Sequence, residues 1–348
     1  MPETTDPRET PLHPRHPRPL RGHAVAERAL LQAFSSGKLH HAWLIAGARG
    51  VGKATLAYRF ARFLLSRSGG AGGFFGEDSL DVDPQAPAAQ LITARSHPDL
   101  LVVERSLDRE GKRLKAQISA EDARAATEFF ALTPAMGGHR ICIVDAADDL
   151  NPTAANALLK ILEEPPRSAL FLLIAHSPGR LLPTIRSRAI ALSLSPLATD
   201  EVAEVVERLA PGTGPEEIRH AAALSGGSPG RALDLLGSSG ARLFLEARPL
   251  FGSARSASRK ALFEIAGAMQ RREAAEDYQV FAGLMLDWLA AQGREAAVAG
   301  AGGEASAWAR LSQEIGHSIR EANVLNLDRR QLLIDAFDMM EQAQARKS

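Results

Sequence analysis

The chain has 348 residues, 45% of them hydrophobic, with 41 Lys and Arg balanced by 41 Asp and Glu. At roughly 150 residues per domain this length implies two or three domains, and the apolar share excludes a disordered chain. Zero net charge excludes a protein held to nucleic acid mainly by bulk positive charge. The single cysteine, Cys142, excludes a disulfide framework or a cysteine zinc site built from this chain alone. With no run of 18 apolar residues and no basic-then-apolar leader, the expected protein is soluble and cytoplasmic, with neither membrane span nor export signal.

Residues 1–20 carry prolines at 2, 7, 11, 14, 17 and 19, mixed with Arg8, Arg15, Arg18, His13 and His16. Proline removes backbone donors and disfavours helix before it, so this stretch reads as an extended, disordered tail. Order is expected from Gly22, with a helix over 24–34. Residues 42–46 form a short apolar run bounded by a glycine loop, the pattern of a buried parallel strand. A helix follows, with Leu56, Phe60, Phe63 and Leu64 on one face. Residues 66–89, rich in glycine and proline, read as an irregular insertion. Further buried strands are expected at 100–103, 141–144 and 170–174, separated by helices that include 120–131 and 154–162. Strands alternating with helices imply a parallel α/β sheet.

From about Thr199 the β-like runs stop. Helices are expected at 201–209 and 215–224, a turn at 226–230 and a hinge near 237–240. In the helical remainder Phe281, Leu284, Met285, Trp288 and Leu289 keep the spacing of a packed helix. Leu333, Phe337 and Met340 repeat that pattern, and 297–303 reads as a flexible loop.

The sharpest chemical feature is Gly47, Ala48, Arg49, Gly50, Val51, Gly52, Lys53, Ala54, Thr55. It follows a predicted strand and opens a predicted helix, the context a phosphate-binding loop requires. Glycines let the backbone curl so that its N–H groups and the helix N-terminus surround phosphate oxygens, and Lys53 would reach the β and γ phosphates. The full motif wants a Ser or Thr hydroxyl for Mg²⁺ where Ala54 stands, and Thr55 lies about 100° further around the helix. Nucleotide can bind through backbone and lysine, whereas the case for Mg²⁺ and for hydrolysis is weakened. The strand 141–144 ends in Asp145, a metal-holding carboxylate in phosphate-loop proteins. The position after it, where many such ATPases carry a water-activating Glu, is Ala146. Downstream, Arg186 and Arg188 have the chemistry to stabilise a transferring phosphate, although from chemistry alone they are more often surface charges.

Taken in order, the 47–55 loop, His97-Pro98-Asp99, the 132–140 segment, the 156–166 segment, the 182–188 segment and the Gly227-Ser228-Pro229-Gly230-Arg231 turn resemble the delta-prime subunits of bacterial DNA polymerase III clamp loaders, members of the AAA+ superfamily. The resemblance implies an α/β fold: an AAA+ phosphate-loop parallel-sheet domain (21–196), a small helical lid (197–238) and an all-α collar (239–348). It implies a stator that helps ATP-driven loading of the sliding clamp on primed DNA, with motor subunits and delta as partners in a hetero-pentameric ring. Arg188, in Ser187-Arg188-Ala189, becomes an arginine finger acting in trans on a neighbour's ATP. Arg231 takes the position of the sensor-2 arginine, and His176 or Ser177 that of sensor 1. ATP or ADP would be held weakly or without hydrolysis. Family members often carry a four-cysteine zinc module after the phosphate-loop helix. The equivalent stretch 66–95 has no cysteine, so no zinc is expected.

Two alternatives stay open at this point. An active AAA+ ATPase, whether a motor subunit or a helicase-type protein, would want Ser or Thr at 54 and an acidic residue at 146. A phosphate-loop kinase or transferase leaves the 187–188 pair, the 227–231 turn and the helical C-terminal third unexplained. Arg49, Arg140 and Lys160 read as surface or packing charges, and DNA contact as indirect.

Overall fold

The computed structural model describes residues 6, 10–67, 79–108, 110–111, 113–251, 256–325 and 327–345. They fall into two compact units, Met1–Leu233 and Asp234–Ser348.

In the first unit α1 (Ala24–Ser35), β1 (Ala42–Ala46), α2 (Lys53–Arg67), α3 (Pro87–Thr93), β2 (Leu100–Glu104), α4 (Ala120–Phe130) and β3 (Arg140–Asp145) come first. They are followed by α5 (Pro152–Glu163), β4 (Ala169–Ala175), α6 (Pro183–Arg186), β5 (Ile190–Ser193), α7 (Thr199–Leu209), α8 (Pro215–Leu224) and α9 (Pro229–Leu235). The five strands are all parallel in the order β2-β3-β4-β1-β5. β1 and β4 are buried at every position, because a parallel sheet is covered on both faces and its strands must be apolar throughout. Leu44 stands opposite Leu173, and Val144 stands opposite Leu173 on the other side. One face of the sheet packs Phe171 against Phe130 of α4, ring centroids 4.7 Å apart, with Leu158 and Leu162 of α5 in the same core.

Local sequence sets where these helices begin. Ser119 and Asp122 form a reciprocal capping box at the start of α4. The Asn151 carboxamide accepts from the Ala154 N–H at 2.8 Å while Pro152 occupies the first turn of α5.

β5 was not expected from the sequence. It is a four-residue edge strand paired only with β1 and largely exposed, so neither a buried apolar run nor a regular alternation marks it. In the stretch expected to be irregular, residues 87–93 form α3 with Pro87 at its first turn. Of the expected insertion 66–89, residues 66–67 complete α2, 79–86 are irregular as expected, and 68–78 lie outside the described residues.

Residues 10–20, read from sequence as part of an extended tail, are packed instead. α2 buries two arginines, and the second face of this helix needs a partner. Arg62 donates to the Arg15 carbonyl at 2.9 Å, and Arg59 donates to the Arg18 carbonyl at 3.1 Å. Arg59 also pairs with Glu27 of α1 and with Asp81, each at 2.9 Å. The His13 ring meets Tyr58 edge-on at 5.7 Å. Residues 10–16 run through turns, with the His13 N–H on the Thr10 carbonyl and the His16 N–H on the His13 carbonyl, and the arginines of α2 supply the donors that bind the Arg15 and Arg18 carbonyls.

His97-Pro98-Asp99 and the 132–140 segment meet at one buried carboxylate. Asp99 is fully buried and accepts from the Ala135 and Met136 N–H groups at 2.8 and 2.9 Å. Arg140 sits 3.7 Å from it, donates to the Thr133 and Pro98 carbonyls, and lies over the Phe129 ring.

The second unit contains α10 (Ser239–Ala247), α11 (Ser256–Ala268), α12 (Ala275–Val298), α13 (Gly302–Leu325) and α14 (Arg329–Ala345). The expected stripe is its core: Phe281, Leu284, Met285 and Leu289 are buried, with Phe337 and Met340 of α14. Trp288 and Trp308 join α12 to α13 edge-to-face at 5.7 Å. The loop expected at 297–303 shrinks to residues 299–301, because Ala297 and Val298 continue α12 and α13 begins at Gly302. Nor is 237–240 an open hinge. Ser238 caps α10, and the Gly240 N–H donates to Asp277 at 2.9 Å in a contact too close for any side chain at 240.

Asp99→Ala strips a buried arginine of its counter-charge and two N–H groups of their acceptor. It should cost about 3–5 kcal/mol of unfolding free energy, read from the urea midpoint. A loss under 1 kcal/mol would show that Asp99 does not organise this loop.

Candidate functional site

Parallel strands point their carboxyl ends one way, and this edge is where α/β sheets build their sites. Here it gathers the loop after Ala46, Asp145 at the end of β3, and His176 and Ser177 after β4. The 47–52 loop joins β1 to α2 as expected, and Lys53 is the first residue of the helix.

The Lys53 ammonium is buried and turned back on its own loop, donating to the Gly47 carbonyl at 2.8 Å and the Ala48 carbonyl at 2.6 Å. Burial lowers its pKa to about 8, although Asp145 and Asp148 pull the other way. Asp145 is pushed up to about 6, mainly by burial and then by Glu104, which stands opposite it in the β2–β3 register; Lys53 opposes that rise.

Two segments grip the loop from outside. On one side His23 Nε2 lies 2.8 Å from the Val51 carbonyl, and Leu20 packs where a side chain at Gly52 would begin. On the other, the Ser228 hydroxyl donates to the Arg49 carbonyl at 2.8 Å and the Gly230 N–H to the Gly50 carbonyl at 2.9 Å. This second contact depends on two glycines. Gly50 holds φ at +76°, and a Cβ on Gly230 would sit 2.8 Å from the Gly50 Cα. The Arg231 N–H is also at this contact, bonded to the Ser228 hydroxyl at 3.2 Å.

Arg49 and Ala48 are exposed on the loop, while Ala54 and Thr55 lie in the first turn of α2. Ala54 offers no oxygen, so the hydroxyl ligand of the expected Mg²⁺ position is missing, and Asp145 is the carboxylate of the expected pair that remains. Among the described residues no group of three His, Cys, Asp or Glu side chains is placed to hold a metal ion.

Asp148, which sequence reasoning did not single out, lies in a 3₁₀ turn after β3. Its carboxylate accepts from the N–H groups of His176 and Ser177 at 3.0 and 3.1 Å. This bond fixes the end of β4. It leaves Ser177 exposed and the His176 ring half-buried, with its pKa lowered by burial and then by Lys53. Ser228 and His23 were likewise missed. Ser228 lay inside a quoted motif and was the available signal, whereas nothing local marked His23.

Arg188 is not brought to this loop. It follows the single turn of α6, which is anchored by buried Ile185, and Ala189 beside it packs on the sheet core. Its Nη1 donates to the Thr184 carbonyl at 2.9 Å, and its Nη2 pairs with Glu163 at 2.7 Å.

The sheet, its carboxyl-edge loop and the helix behind that loop define a phosphate-loop α/β protein. The family described as "DNA polymerase III, delta subunit" matches residues 22–198, half of the chain, and the chain belongs to that family. A relative named DNA polymerase III subunit delta' from Pseudomonas aeruginosa is 36% identical over 54% of this chain and 53% of its own. One of the same name from Escherichia coli is 32% identical over 59% and 57%. The chain thus spans about half the length of the curated relatives it matches. A solved gamma subunit-related protein of DNA polymerase III from Thermotoga maritima aligns over 90% of this chain and 99% of its own, with a TM-score of 0.40 and 14% identity. No helix among the described residues is long and apolar enough to cross a membrane.

The ammonium form of Lys53 is the one that binds phosphate, and it is present below about pH 8 and lost above it. Affinity for a fluorescent ATP analogue should therefore fall as pH rises from 7 to 9.5, by up to about tenfold for each unit above the pKa. A flat titration would remove Lys53 from the binding step.

Proposed function

We propose that this chain is the delta-prime-type stator of a cytoplasmic DNA polymerase III clamp loader, helping ATP-driven loading of the sliding clamp on primed DNA. In this reading it is not the polymerase, and it hydrolyses ATP poorly or not at all. Its partners are the motor subunits and delta in a hetero-pentameric ring, with the clamp, and with DNA reached indirectly. Residues 21–196 serve as the nucleotide-binding domain, 197–238 as the lid and 239–348 as the collar.

The observation that carries the reading is the division of labour among charges. The chain's own loop has alanine at 54 and 146, and its lysine is satisfied by loop carbonyls. Arg188 stands away from that loop, one-third exposed and held by two partners. A chain that has given up its metal hydroxyl and its base while keeping a presented arginine is suited to complete a neighbour's site. A guanidinium there stabilises charge on the transferring phosphoryl group, and no rearrangement of this chain is needed at the moment of reaction. Weakly bound ATP or ADP would sit along Gly47–Lys53, with Arg231 and His176 beside it. His176 is favoured over Ser177 by its closeness to Lys53.

The test is DNA- and clamp-stimulated ATP hydrolysis by the reconstituted loader, with assembly of each variant confirmed first. Arg188→Ala should cut turnover at the adjacent site by about 10³-fold, so that the whole complex loses that site's share. The isolated chain should show negligible hydrolysis. Turnover at motor-subunit rates by the chain alone would establish the active-ATPase alternative.

A further inference from the structure

We propose that Glu163 is the positioning residue for Arg188, orienting its guanidinium toward the neighbouring subunit. This inference rests on the arginine-finger reading above.

Glu163 is out of place by local rules. It is the last residue of α5, and Glu164 caps the same end. The C-terminus of a helix carries the negative pole of its dipole and favours cations, and with Lys160 the one cation of this last turn, two carboxylates leave an excess negative charge that a further partner must offset. Glu163 has that partner: its Oε1 lies 2.7 Å from Nη2 of Arg188. A choice that opposes local propensity and is answered by one specific contact marks a functional constraint.

The backbone that carries Arg188 is already fixed. α6 is pinned by buried Ile185, and Ala189 is packed on the sheet core. What remains free is the long side chain, whose rotamer entropy is among the largest of any residue. Two contacts remove it. The Thr184 carbonyl takes Nη1 at 2.9 Å, and Glu163 takes Nη2 at 2.7 Å. With a longer third contact from Nη1 to the Ser187 hydroxyl at 3.5 Å, three of the five guanidinium N–H groups are engaged, and the second N–H of Nη2 and the Nε–H remain available to a phosphate.

The pair is also built to be of little consequence for folding. Arg188 is 33% exposed and Glu163 47%, and ion pairs at that exposure add little stability. Its effect belongs to catalysis, where holding a charged group in the productive orientation raises turnover without changing how tightly ATP binds.

The experiment compares wild type, Glu163→Ala, Glu163→Gln, Arg188→Ala and the Glu163→Ala/Arg188→Ala double variant in the reconstituted loader. Assembly is checked by gel filtration, and clamp- and DNA-stimulated ATPase is followed across ATP concentrations. Glu163→Ala should lower kcat at the adjacent site by about threefold to tenfold with KM for ATP unchanged. Glu163→Gln, which keeps an oxygen to accept from Nη2, should recover most of that loss. The double variant should be no slower than Arg188→Ala, because a positioning residue has nothing to position once the arginine is gone. A fall with Arg188→Ala but none with Glu163→Ala overturns this inference and leaves the finger standing. Additive losses in the double variant, or a Glu163→Gln as slow as Glu163→Ala, overturn it too. No fall with Arg188→Ala overturns the finger reading itself.

Discussion

A parallel sheet covered on both faces can show polar side chains only at the ends of its strands. In this protein that constraint organises everything else. β1 and β4 have no exposed position, so the chemistry is pushed to their carboxyl edge, where Lys53, Asp145, Asp148 and His176 meet. Placing an ammonium and several carboxylates in so little water is costly, and the pKa directions record it: burial lowers Lys53 and raises Asp145. Each is held toward its charged form by the other.

The loop at that edge is a phosphate cradle whose own groups already satisfy it. Lys53 bonds to two loop carbonyls, and the Gly50–Gly230 approach clasps the loop from the 227–231 turn. A nucleotide entering here has to exchange those bonds for phosphate contacts, and with no hydroxyl at 54 it lacks the usual metal anchor. The position after Asp145 is alanine as well, so neither a hydroxyl at 54 nor a carboxylate at 146 faces this edge.

Much of this was legible from the sequence because burial writes itself into periodicity. The apolar runs at 42–46, 141–144 and 170–174 marked β1, β3 and β4 to within about a residue at each end, and the glycine spacing after 46 marked the cradle. Features that depend on partners distant in the chain were not legible. β5 is too short and too exposed to show a pattern. Ser228 reaches Arg49 across 179 positions, and His23 reaches Val51 across 28. Nothing local marks Asp148, whose carboxylate meets the end of β4 only in the folded chain. Of the site, the sequence named the loop, while the groups that hold it in place emerged only from the tertiary structure.

Beside the His13 ring on Tyr58 and Leu20 against Gly52, two contacts hold the segment before α1 through its main chain. Arg62 and Arg59 of α2 take the carbonyls of Arg15 and Arg18, and a carbonyl is the same group whatever residue bears it. Such a segment can drift in sequence at these two positions and still keep these bonds. Arg59 and Arg62 have no such latitude, since no other side chain reaches as far with a forked set of donors. At these two contacts the constraint falls on the helix that donates and not on the residues that lend the carbonyls, the reverse of the pattern expected where side chains do the recognising.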